Sequence, residues 1–130
     1  MARSKPQGKQ HVRIYRWEMD TPAWQTMSCY GRALLIEMRS LYNGHGNRVF
    51  ISRSEIERRL GIGRKLAEKA RDELIERGWI RILARGHFGR KVRHATEYAL
   101  THEPLEDRDG ATAPKDYMKW TPPHENSRGT

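Results

Sequence analysis

The sequence is short of cysteine and of long apolar runs. Cys29 is the only cysteine, which excludes an intrachain disulfide and favours a reducing compartment. No apolar run is long enough to span a bilayer or to form the core of a signal peptide, so we expect a cytoplasmic protein with no membrane partner. Hydrophobic residues make up 36% of the 130 positions and charged residues 32%, so we expect one domain whose core excludes part of the chain.

The residue patterns of common catalytic and metal sites are also missing. The six histidines and Cys29 show no H-x-x-x-H or C-x-x-C spacing, so we predict no metal site. There is no phosphate-binding Gly-x-x-x-x-Gly-Lys, and the neighbouring acids Asp72 and Glu73 lie in a charged segment rather than a dry pocket. We therefore predict that the protein is not an enzyme and needs no cofactor. Cys29 is interpreted as a small residue near a helix start, with a reactive thiol as the alternative.

Basic residues are in clear excess, and they are unevenly placed. The chain has 25 Lys and Arg against 16 Asp and Glu, for a formal net charge of +9. Residues 1–20 and residues 79–102 are both net positive, whereas residues 103–130 are net negative. An excess of this size predicts a polyanionic partner, either a nucleic acid or an anionic membrane surface.

The composition divides the chain into three segments. Residues 1–22 are interpreted as a flexible basic arm, residues 23–102 as the folded domain, and residues 103–130 as a mostly disordered tail rich in Pro, Gly, Asp, Thr and Ser. The tail contains one aromatic cluster, Tyr117, Met118 and Trp120. This cluster docks either on its own domain or on a partner.

The periodicities of the central segment predict three helices and a hairpin. Ser28 is the expected N-cap of a first helix through CYGRALLIEMRSLY, followed by the short strand RVFIS. This helix has an apolar stripe and further apolar residues beside it, so it is either central or shared with a second subunit in a homodimer. The stripe is Tyr30, Leu34, Met38 and Leu41, and the additional residues are Ala33, Leu35 and Ile36.

The second and third helices are closely spaced. Ser52 and Glu55 form a capping-box pattern, and Gly61-Ile62-Gly63 makes a tight turn into a helix from Arg64 to Arg77. Ala67, Ala70 and Leu74 should face inward on this third helix, and Gly78 should end it. WIRILAR and RHATEYALT then alternate as the two strands of a β-hairpin around GHFGRK.

The stretch ISRSEIERRLGIGRKLAEKARDELIERGWI resembles the winged helix-turn-helix family of DNA-binding domains, and the resemblance covers about residues 28–101. It implies an α+β fold of three helices plus a β-hairpin wing, with a recognition helix beginning at Arg64 and GHFGRKVR as the wing. TPAWQTMSCYGRALLIEMRSLYNG is similar to small proteobacterial proteins encoded on plasmids, phages and other mobile elements, which implies a bacterial, nucleoid-associated protein. Gly63 departs from the family pattern, because the family often has a capping Ser or Thr there.

Arg64 and Lys65 lie in the first turn of a helix, where the macrodipole disfavours cations. Double-stranded DNA would supply the missing negative charge; the alternative is a solvated face with i,i+4 ion pairs to the helix's own acids. Leu66 could meet a thymine methyl group or belong to the core. The predicted DNA contacts are Arg53, Ser54, Arg64, Lys65, Leu66 and Lys69 in the helices, Arg85, His87, Arg90, Lys91 and Arg93 in the wing, and Lys5 and Lys9 in the arm.

Three functions agree with this reading. The first is a sequence-specific transcriptional regulator that binds an inverted repeat as a dimer. The second is an accessory factor in the replication or recombination of a mobile element, and the third is a winged helix used as a protein-interaction module. The DNA-binding hypotheses require that the turn at Arg64 and the hairpin tip near Arg90 lie on one side of the molecule.

Overall fold

Helices and a small antiparallel sheet alternate along the chain in a computed structural model, which describes residues 10–44, 46–84, 87–88 and 93–123. The helices are α1 (Arg16–Met19), α2 (Pro22–Gln25), α3 (Cys29–Ser40), α4 (Arg53–Leu60) and α5 (Arg64–Glu76). The strands are β1 (Val49–Ile51), β2 (Ile80–Ala84), β3 (His87–Phe88), β4 (Arg93–His94) and β5 (Thr96–Leu100), followed by a 3-10 helix at Asp116–Met118. None of the helices formed by the described residues has the length and apolar character needed to cross a membrane.

The predicted starts of the three long helices are confirmed, and the first and third helices end slightly earlier than predicted, at Ser40 and Glu76. The Ser28 hydroxyl accepts a hydrogen bond from the Gly31 amide at 3.1 Å, and Ser52 does the same for Glu55 at 3.1 Å. Of the two hydrogen bonds of the predicted capping box, only the one accepted by the Ser52 hydroxyl forms. The Glu55 carboxylate, which would make the other, binds Arg58 and Arg59 instead. The third helix is followed by Gly78 in the left-handed conformation, with φ of +84°.

The core lies between α3, α5 and one face of the sheet. The inward alanines of α5, Ala67 and Ala70, are fully buried, which lets α3 and α4 approach it closely. Leu35 is also fully buried, so it serves this core and is not available to a second subunit. Of the additional apolar residues predicted on this helix, Ile36 remains 42% exposed.

The sheet has the strand order β1-β5-β2, and every pairing is antiparallel. Val49 and Ile82 both lie opposite Tyr98, and this register places the alternating apolar side chains on one inner face. β2 contains a bulge between Ile82 and Ala84. Further along the chain, β3 pairs with β4 through their backbones, and His87 lies opposite His94. The antiparallel pairings of β2 with β5 and of β3 with β4 confirm the α+β class and are consistent with a winged helix.

The structure is more ordered at both ends of this domain than the composition predicted. Glu18 of α1 is fully buried, and its carboxylate receives two hydrogen bonds from Arg39 of α3, both at 2.9 Å. The hydroxyl of Tyr117 donates to the same carboxylate at 2.7 Å, and its ring stacks on Trp79 at 4.0 Å. The segments around Glu18 and Tyr117 therefore pack on the domain, because this buried cluster joins side chains that are far apart in the sequence.

The aromatic segment of the tail docks on its own domain. Arg81 of β2 makes a bidentate ion pair with Asp116, with distances of 2.7 and 3.0 Å. The indole of Trp120 donates to Glu76 at 3.2 Å, and the Arg77 guanidinium lies 4.7 Å from the Trp120 ring centre. The tail therefore packs on the connection between α5 and β2.

Candidate nucleic-acid interface

The turn between α4 and α5 leaves the start of α5 accessible. Gly61 has φ of +66°, and its amide closes α4 by donating to the Glu57 carbonyl at 2.8 Å. Ile62 packs against the core, which fixes the angle between the two helices. Gly63 is extended and provides no side-chain cap for α5. The amides at the start of α5 thus carry the partial positive charge of a helix terminus without a side-chain acceptor.

The basic residues at the start of α5 differ in their pairing. Arg64 is 69% exposed, and its Nε lies 3.2 Å from a carboxylate oxygen of Glu68, one turn along the helix. Lys65 and Lys69 are exposed, and neither makes an ion pair or a hydrogen bond with any of the described residues. Pairing within the helix therefore accounts for Arg64 but leaves two ammonium groups beside the uncapped terminus.

Glu73 explains why Lys69 lacks a partner on its own helix. Glu73 is four residues further on, where an ion pair would be expected, but its carboxylate accepts hydrogen bonds from the Ser28 hydroxyl at 2.6 Å and the Ser28 amide at 3.2 Å. A Cβ atom at Gly31 would lie 2.6 Å from this carboxylate, so the contact requires a glycine. Glu73 thus joins α5 to the start of α3, a role that its position in a charged helix did not reveal.

The predicted contacts on α4 are only partly accessible. Arg53 is half-buried and forms an ion pair with Glu57, whereas Ser54 is exposed at the start of the helix. Arg59 binds Glu37 of α3 at 3.0 Å and so holds the two helices together. Of the two residues predicted here, Ser54 is the one free to meet a phosphate without breaking an ion pair.

Most of the contacts predicted for the wing and the arm lie outside the residues that the structure describes. Arg85, Arg90 and Lys91 of the wing and Lys5 and Lys9 of the arm lie outside the described residues. His87 and Arg93 are placed by their backbones on β3 and β4, which pair with each other. The expectation that the hairpin tip and the Arg64 turn lie on one side of the molecule remains a prediction.

A comparison with protein-family models matches residues 27–80 to a family described as a helix-turn-helix domain. The matched region contains α3, β1, α4 and α5, and hence the turn and the basic helix start described above. No curated protein and no solved structure is significantly similar to the chain. Residues 27–80 are therefore similar to a helix-turn-helix domain, and this match supports a DNA-binding function.

Proposed function

We propose that the protein binds specific sequences of double-stranded DNA and acts as a transcriptional regulator in the bacterial cytoplasm, on the nucleoid. α5 is the recognition helix and enters the major groove with its first turns. The observation that carries this proposal is the pair of exposed ammonium groups, Lys65 and Lys69, beside a helix terminus that has no side-chain cap. A DNA phosphate would supply both the acceptor and the negative charge that this terminus lacks.

Arg64 can read a base even though it has an ion pair in the free protein. An exposed i,i+4 pair contributes only about 0.3–0.5 kcal/mol, whereas a bidentate Arg–guanine contact discriminates by about 1–3 kcal/mol. The ion pair with Glu68 is therefore too weak to prevent Arg64 from contacting a base. Leu66 lies in the same turn, is 37% exposed, and is thus able to meet DNA as well.

The wing and the arm supply the contacts that do not depend on sequence. Basic side chains at Arg85, His87, Arg90, Lys91 and Arg93 meet the backbone or the minor groove, and Lys5 and Lys9 extend this contact along the duplex. The ion pair between Arg81 and Asp116 anchors the first strand of this hairpin to the domain.

A homodimer on an inverted repeat fits this use of the fold. Ile36, an exposed apolar residue of α3, is one around which such a contact would form. The burial of Leu35 leaves a smaller apolar surface on this helix than the sequence pattern suggested.

Duplex binding measured as a function of salt tests the proposal. If about six phosphates are contacted, the affinity should fall about a thousandfold between 50 and 200 mM salt. Lys65→Ala and Lys91→Ala should weaken binding to all sequences alike and lower the salt slope by about one unit, whereas Arg64→Ala should relax sequence preference. Arg108→Ala is the control, because it removes the same charge from the tail, where Arg108 pairs with Glu106. Duplex binding that does not change with salt would count against the proposal.

Mapping the bound sites separates the proposed role from its alternatives. Sites in promoters support regulation, whereas iterated origin sites or attachment sites support an accessory role in replication or recombination of a plasmid, phage or integrative element. A stable protein complex without duplex binding would instead indicate a protein-interaction module.

A further inference from the structure

A small apolar notch opens beside α5, between its first two turns and the start of α3. Its volume is about 150 Å³, and it is lined by Ser28, Tyr30, Leu66, Lys69 and Ala70. Tyr30 and Leu66 are each 37% exposed, and Lys69 is exposed as well, so the notch is accessible from the protein surface. Leu66 and Lys69 are three residues apart and are therefore neighbours on the helix surface.

The chemistry of the notch is simple because its polar wall is already engaged. The Ser28 hydroxyl donates to Glu73 at 2.6 Å and accepts from the Gly31 amide at 3.1 Å. What remains is an apolar surface from the Tyr30 ring, Leu66 and Ala70, and the Lys69 side chain also lines the notch. A ligand that fits must therefore present an apolar group next to a hydrogen-bond acceptor.

Thymine is the DNA base that presents this combination in the major groove. Its C5-methyl group lies beside the O4 acceptor, whereas guanine offers acceptors without a methyl group and cytosine offers an N4 donor. A methyl group is close in size to a water molecule, which occupies roughly 30 Å³ in the liquid, so the notch can accommodate it.

We propose that this notch is a specificity site that receives the 5-methyl group of a thymine while Lys69 donates a hydrogen bond to O4 of the same base. This inference rests on the proposed function, in which α5 lies in the major groove. It makes Tyr30, which belongs to a different helix from the other base-contacting residues, a determinant of sequence preference.

Replacing thymine by uracil tests the methyl contact directly. A duplex is first selected by the full-length protein from a random pool, and each thymine is then replaced singly by uracil. At one position the affinity should fall about fourfold, the effect expected for removing one buried methyl group from contact. At that position 5-methylcytosine should bind more weakly than thymine, because its N4 donor faces the ammonium group of Lys69.

Variants of the notch connect this effect to its residues. Leu66→Ala and Tyr30→Ala should each bring the ratio of thymine to uracil affinity close to one, whereas Tyr30→Phe should preserve the ratio. Lys69→Ala should reduce the discrimination between thymine and 5-methylcytosine. Lys65→Ala is the control that weakens both duplexes equally, because Lys65 does not line the notch.

The outcomes distinguish this inference from the function on which it rests. If the protein binds the selected duplex and no uracil substitution weakens binding, the notch is not a methyl site, although the proposed function stands. A ratio that survives both Leu66→Ala and Tyr30→Ala would place the methyl contact elsewhere and overturn the inference. If the protein selects no duplex at all, the proposed function fails first.

Discussion

Tyr117→Phe is expected to destabilise the protein through a single lost hydrogen bond. The hydroxyl of Tyr117 donates to Glu18 at 2.7 Å in a fully buried site, where the same carboxylate also binds Arg39. Burial raises the pKa of Tyr117 and the Glu18 carboxylate raises it further, so the hydroxyl keeps its proton and acts as the donor. The phenylalanine ring preserves the stacking on Trp79, and the change is therefore confined to the hydroxyl.

The size of the effect follows from the charge of the acceptor. A hydrogen bond to a charged group contributes about 1.5–3 kcal/mol, so we expect the free energy of unfolding to fall by about 2 kcal/mol. At about 4 °C per kcal/mol for a domain of this size, Tm should fall by about 8 °C. Tyr15→Phe is the matched control, because Tyr15 is exposed and its hydroxyl accepts a hydrogen bond from Arg13. Its effect should stay within about 0.5 kcal/mol.

The pH dependence supplies a second test of the same contact. Burial alone would raise the pKa of Glu18, but the hydrogen bonds and charge of Arg39, together with Tyr117, outweigh it and hold this pKa below 4.5. A lowered pKa contributes stability that is present above the unfolded value and is lost as the pH falls through the folded value. The difference between wild type and Tyr117→Phe should therefore be largest at neutral pH and shrink below pH 4.5. Urea unfolding across this range measures it, and a difference that equals the Tyr15→Phe control, or that does not change with pH, would refute the reasoning.

Three further predictions concern stability. Burial and the charge of Arg39 lower the pKa of His102 from 6.5 to about 4, so stability should decline as the pH falls from 6.5 to 4. Between pH 6.5 and pH 4, the free energy of unfolding of His102→Gln should fall by about 3 kcal/mol less than that of the wild type. Urea unfolding measures this, and an equal fall in the two proteins would contradict the prediction. Gly78→Ala should lower Tm more than Gly61→Ala: both have positive φ, but only at Gly78 would a Cβ atom lie 2.8 Å from a neighbouring atom. Gly63→Ser should raise stability by about 0.3 kcal/mol by adding an N-cap hydroxyl in open space, and unchanged thermal unfolding would contradict that.

The helix-turn-helix unit and the strands of the hairpin could be predicted from local sequence patterns. Ser28 and Ser52 at the helix starts and Gly61 and Gly78 at the helix ends act on groups within a few residues, so their effects can be read from neighbouring letters. The basic start of α5 was equally visible, because a charge in the first turn of a helix is a local property.

The pairing of charges and the packing of the two end segments could not be predicted in this way, because they depend on contacts between distant parts of the chain. Glu73 could bind either Lys69 on its own helix or Ser28, the N-cap of α3. The packing of the two helices brings it within hydrogen-bonding distance of Ser28. Glu18 and Tyr117 come from segments whose composition favoured disorder, yet they meet in one buried cluster. The physical reason is the same in both cases: helix caps and periodicity depend on neighbours in sequence, whereas a buried carboxylate is stabilised by whichever donors the folded chain brings within hydrogen-bonding distance.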